Sequence, residues 1–180
     1  MKSNEGLTQE NPFWDFSIKF YGQTPVSSSC LALQENVGAD INILLYCCWI
    51  ASEGAVAMEG AEFSEIITVI EPWQSKVVSG LRQIRRSIKK DPSLRFGSFS
   101  DGLRVSIKNS ELEAEKLEQM ILYSSGQKIF SCKSIQPFDK VANAEMNLRT
   151  YIEMISGSIT ETTNSLILII CDHVKSTIDP

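Results

Sequence analysis

Histidine is almost missing from this chain: His173 is the only one in 180 residues. A zinc centre or a histidine-based catalytic triad therefore has little to build on, because the only metal-capable side chains beside His173 are Cys171 and Asp172. Cysteine is present but unsuited to a disulfide scaffold. The five residues Cys30, Cys47, Cys48, Cys132 and Cys171 are odd in number, two are adjacent, and no C-x-x-C occurs. They read as small apolar side chains in a reducing cytoplasm. The Cys47-Cys48 pair, in the most apolar stretch, is expected to be inert packing rather than a redox site. No glycine-rich phosphate loop and no G-x-S-x-G elbow is found. Long hydrophobic runs are lacking too. The longest, Ile41 to Ala51, would span only about 16 Å as a helix, against the roughly 30 Å of a bilayer core. No cofactor, no metal and no membrane partner is expected, and the balance leans away from an enzyme.

What is there fits one globular unit. The hydrophobic share of 43% is enough for a core, and the net charge of −5 argues against nucleic acid as the default partner. Residues 1–12 are polar, without the apolar centre of a secretory signal, and read as a flexible tail. Residues 13–180 read as a single helical domain.

Helical punctuation organises the rest. Phe13 to Tyr21 forms a short helix stopped by Gly22. Pro25 opens a second, whose stripe Val26, Cys30, Leu33 and Val37 ends at Gly38. Asp40 stands where an N-cap is needed for a third segment that is apolar almost all round, the mark of a central buried helix near 41–51. Gly54 and Gly60 bracket a connection to a helix over 62–71. Pro72 is expected to start the next helix, which carries Val77, Leu81, Ile84 and Ile88 inward and closes at Asp91-Pro92. Residues 92–101 read as a mobile loop. Leu103, Ile107, Ala114, Leu117 and Ile121 place a continuous helix over 102–124, with Glu111, Glu113, Glu115 and Glu118 on its outer face. Alternation of Leu103, Val105 and Ile107 leaves a strand at 102–109 as the competing reading. An irregular stretch over 125–137 precedes helices over 138–155 and 160–175. The fold expected is all-α, an irregular single-domain bundle of six to eight helices around the 41–51 helix.

The stretch Trp14-Asp15-Phe16 with Tyr21, then Cys30-Leu31-Ala32-Leu33-Gln34, Gly38-Ala39-Asp40-Ile41-Asn42-Ile43-Leu44-Leu45 and Trp49, resembles a family of small uncharacterised bacterial proteins, mostly proteobacterial. Pro72-Trp73, Leu81-Arg82, Arg85-Arg86, the acidic run 111–115 and Asn147-Leu148 are similar as well. The likeness covers roughly residues 13–155. It implies a compact helical protein and carries over no activity; residues beyond about 156 have no counterpart in it.

Two clusters stand out as candidate sites. Gln34, Asp40, Asn42 and Trp49 surround the opening of the central helix. An amide such as Asn42 among apolar neighbours must find hydrogen-bond partners, either as a tie between helices or as the polar floor of a ligand pocket. Arg82, Arg85, Arg86, Lys89 and Lys90 form a basic ridge, which antiparallel packing would bring toward the glutamates of the next helix. The leading expectation is a non-catalytic binding or adaptor module recognising an unknown protein partner through this charged face. The alternatives are a small-molecule-binding protein or enzyme at Gln34, Asp40 and Asn42, and RNA or ribosome association through 76–95.

Overall fold

The computed structural model describes residues 11–130 and 139–178. Those residues are helical without a strand, so the fold is all-α and the strand reading of 102–109 is not realised. Helix α1 spans Pro12–Tyr21, α2 Thr24–Val37, α3 Ile41–Ser52, α4 Gly60–Trp73, α5 Ser79–Lys90, α6 Ser98–Phe130, α7 Lys140–Ser156 and α8 Glu161–Ile178. Most of the expected tail lies outside the described residues. Its last two positions do not behave as tail: Asn11 is buried and its side chain accepts the Trp14 N–H, which caps α1.

Helix α3 is the hub. Every residue from Asn42 to Ala51 is buried, because α1, α2, α6, α7 and α8 all pack against it. Its start is fixed by Asp40, whose Oδ1 accepts the Asn42 N–H at 2.7 Å. Just upstream, Gly38 ends α2 with φ +72°, a left-handed turn that favours glycine, and donates its N–H to the Gln34 carbonyl. Phe13 of α1 meets the ring of Tyr46 edge-on at 5.3 Å, closing the core from that side. From the other side α7 contributes Asn147. This fully buried amide donates to the Cys47 carbonyl and accepts the Met58 N–H, so the backbones of α3 and the α3–α4 loop are tied to one side chain. Helix α8 adds Ile167, Ile170, Cys171 and Val174 to the same core, mainly against α2 and α7. The last stretch of the chain is thus core-forming.

Three expectations are corrected. Pro72 does not start a helix: it lies in the last turn of α4, and the chain stays helical through a π turn, Gln74–Val78, into α5. The proline costs one backbone hydrogen bond. Flanking anchors hold the segment, with the Trp73 indole N–H donating to the Ala114 carbonyl of α6 at 2.9 Å and Val78 buried. Helix α6 is longer than 102–124 at both ends, taking in part of the expected loop and part of the expected irregular stretch; of the latter, 131–137 lies outside the described residues. At its start Ser100 Oγ accepts the Phe96 N–H and donates to the Gly97 carbonyl.

The third correction concerns burial. Ile84, Leu103 and Leu117, placed inward by their spacing, are exposed. From Ser79 to Ser110 no residue is buried. Here α5 packs on the first half of α6, joined by the 3₁₀ turn Pro92–Leu94, and among the described residues no third helix covers them. The result is a two-helix arm. Among the described residues no helix is long and apolar enough to cross a membrane.

Candidate functional site

The site grows from the Gly38-Ala39-Asp40 corner. The Asp40 side chain is committed to the first turn of α3, and its backbone N–H donates to the Tyr151 hydroxyl of α7 at 2.8 Å. One residue into α3, Asn42 turns its Oδ1 toward α6 and accepts from Gln119 Nε2 at 2.8 Å. The amide therefore does tie two helices together, as its position among apolar residues requires.

Next to Gln119 lies Glu118, fully buried. Its carboxyl faces the Asp40 carboxyl and the Asn42 amide. Burial pushes its carboxyl up to about 9, the Asp40 charge pushes the same way, and the Asn42 amide opposes. Burial raises Asp40 as well, against the Asn42 and Ile43 N–H groups and the Arg82 charge. A fully buried carboxyl facing a half-buried one favours one proton between them over none. Burial and the neighbouring carboxyl both favour the protonated form of Glu118.

The cation that might have neutralised Glu118 is occupied. Arg82 donates from Nε to Glu111 Oε1 at 2.9 Å and from Nη2 to Glu115 Oε1 at 2.6 Å, while Arg85 Nη2 reaches Glu111 Oε1 at 3.1 Å. Burial alone would raise the Glu111 carboxyl, but Arg85 and Arg82 outweigh it and hold it below the usual range. For Glu115 the order reverses: burial wins over Arg82 and the carboxyl is raised.

These side chains enclose a pocket of about 200 Å³ between α1, α3 and α6. Trp14, Leu45 and Val78 give it apolar walls, and the exposed Ile18 and Leu112 stand at its rim. Its polar lining carries the unusual feature. Ser17 Oγ and Gln119 Oε1 are buried without a hydrogen-bond partner, and both belong, with Glu118, to residues that line this one pocket. On the other side of the Asp40 corner lies a broader cleft of about 910 Å³, which shares Gln34, Asp40 and Arg82 with the pocket and adds Arg86, Lys90 and Tyr151.

Of the residues singled out from sequence, Gln34, Asp40 and Asn42 converge on the pocket. Trp49 does not: it sits in the core against Phe13, Tyr46 and Tyr123, at ring distances of 5.4, 5.7 and 5.5 Å. The basic ridge divides. Arg82 and Arg85 are paired across to α6, Arg86 and Lys90 face the cleft, and Lys89 is exposed with its carbonyl accepting from Arg95. The acidic face of α6 is corrected in part. Only Glu113 of the four glutamates is exposed; Glu111 and Glu118 are buried and Glu115 is half-buried. Glu118, Gln119, Ser17 and Tyr151 were not anticipated. Positions 111, 115 and 118 share one face with Ala114 and Leu122, and that spacing was the available signal. No group of three or more metal-capable side chains gathers among the described residues.

Residues 12–122 match a family described as a protein of unknown function (DUF2390), and the chain belongs to that family. All residues lining the pocket fall inside the matched stretch, whereas α7 and α8 lie beyond it. Comparison with curated proteins and with solved structures gave no match.

Proposed function

We propose that the chain is a non-catalytic binding module of the reducing cytoplasm whose small ligand sits in the pocket between α1, α3 and α6. One observation carries the reading: the buried Ser17 and Gln119, each with an unpartnered oxygen, and the buried acid Glu118 line a single apolar-walled cavity. Each such atom costs about 1–3 kcal/mol when nothing satisfies it, and a small molecule with matching groups removes that cost. Four buried, unpaired cysteines support the reducing compartment. Native mass spectrometry of gently purified protein should reveal a small bound molecule. Ser17→Met, which fills the pocket and removes one orphan hydroxyl, should abolish its retention while the fold melts no lower. Retention by the filled variant would place the ligand elsewhere and end this reading.

A second reading is favoured by the arm. Phe96 and Phe99 are 70% and 86% exposed, in a stretch, residues 86–108, that carries Arg86, Lys89, Lys90, Arg95, Arg104 and Lys108 against only Asp91 and Asp101. Docking of an acidic protein partner there fits this composition. Since Arg82 and Arg85 are engaged internally, the test is Glu at Arg86, Lys89 and Lys90 with Ser at Phe96 and Phe99. Loss of a co-purifying protein at unchanged melting temperature is the expected result, and an unchanged set of partners would remove the idea. Association with RNA through the same residues instead requires binding that falls steeply with salt.

A further inference from the structure

We infer that the pocket takes a compact organic cation with an apolar body, an amine or amidine, and that its binding expels the proton from Glu118. The inference rests on the ligand-binding reading above and adds the chemistry of the ligand.

The polar groups of the pocket set the chemistry of its ligand. Gln119 Oε1 accepts hydrogen bonds, the Glu118 carboxylate accepts them once ionised, and Ser17 Oγ accepts or donates. A molecule that satisfies them must bring donors. Charge points the same way. Around Glu118 stand Asp40 from the α2–α3 corner, Glu115 from α6 and Arg82 from α5, with Tyr21 of α1 and Tyr151 of α7 as weak acids nearby. Among the described residues Arg82 is the only cation lining the pocket, and its guanidinium already serves Glu111 and Glu115. An anion would meet three carboxyl groups and no free cation. An amine would meet acceptors at each turn.

Shape sets the rest. A volume of about 200 Å³ equals on the order of seven waters at about 30 Å³ each, enough for a small amine and too little for a nucleotide. Trp14 forms one wall, and Lys116 Nζ already stands 5.6 Å from its ring centroid, so this indole attracts cations. Leu45 and Val78 would enclose the apolar part.

The proton balance is explicit. In the free protein Glu118 is a neutral acid next to Asp40. A ligand arriving as R–NH₃⁺ donates N–H to Glu118, which ionises; the pocket gains the ligand's positive charge and loses one proton to buffer. No bond other than the acid O–H is broken.

The test is calorimetry near pH 7 in two buffers of different ionisation enthalpy. The probes are benzylamine and benzamidine as cations, with benzyl alcohol and benzoate as neutral and anionic counterparts of the same size. The cations should bind with about one proton released, and benzoate should not bind. Glu118→Gln should reduce proton release to near zero and weaken the cations about tenfold or more. Ser17→Met should block every probe, an arm that holds even where Glu118→Gln is poorly folded. If benzyl alcohol or benzoate binds as well as benzylamine, or if the cations bind without releasing a proton, the inference is overturned while the pocket remains a ligand site. If no probe binds and native mass spectrometry finds no small molecule, the ligand-binding reading falls with it.

Discussion

Glu118→Gln isolates the energetic consequence of burying a carboxyl without a cation. The folded protein holds a proton on Glu118 up to about pH 9, whereas an ordinary carboxyl releases it near 4.5. Over that interval the native state binds one more proton than the unfolded chain, so stability falls as pH rises, at about 1.4 kcal/mol per pH unit. Below pH 4.5 this group contributes no slope, and above 9 the loss is complete. From 4.5 to 7 the accumulated cost is about 3 kcal/mol, an order-of-magnitude figure for a fully buried group. Glutamine keeps the shape, and its NH₂ donates to Asp40 as the protonated acid does, yet it cannot ionise. The variant should therefore be more stable than the parent at pH 7, by about 1–3 kcal/mol. The gap should widen toward pH 9 and vanish near pH 4. Urea titrations at half-unit pH steps, followed by tryptophan fluorescence, read the difference directly. Parallel pH profiles for the two proteins, or a variant less stable than the parent at pH 8, would refute the assignment of the proton.

Other perturbations separate the remaining parts. Tyr151→Phe removes the hydroxyl that accepts the Asp40 N–H, and the orphaned donor should lower stability by about 1–3 kcal/mol in the same titration. Gly38→Ala meets no atom within 4 Å but must adopt φ +72°; the strain alone should cost about 1–2 kcal/mol, and an unchanged melting temperature would contradict the left-handed turn. Cys30, Cys47, Cys48 and Cys171 are buried, and burial pushes the Cys30 thiol up to about 12. Peptide mapping after treatment with a thiol reagent should show these four labelled only at the rate of unfolding. Fast labelling of Cys47 or Cys48 in the native protein would count against a dry α3.

Much of the fold was legible because its signals are local. The all-round apolarity of residues 41–51, the Asp40 cap and the Gly38 stop each act within a turn or two of helix, and each is found where the sequence puts it. The pocket was half legible. Asn42 announced itself as an amide in an apolar run, but Glu118 was hidden among four glutamates whose average reads as a wet face. Trp49 shows the converse limit: inside a helix buried on all sides, periodicity cannot say which side meets a cavity. For the arm, Ile84 and Leu103 had core spacing without a core. Periodicity reports that a face is apolar, while what covers that face depends on where distant helices end.

Helix α6 runs unbroken from Ser98 to Phe130, and this joins two places that the chain otherwise keeps apart. Phe99 near one end and Glu118 farther along are fixed to the same rigid rod, about 28 Å apart at the usual rise per residue. Between them Arg82 of α5 holds the rod through Glu111 and Glu115, so a tilt of its outer end is carried toward the wall of the pocket. Whatever grips the far phenyl rings therefore holds a handle on the cavity.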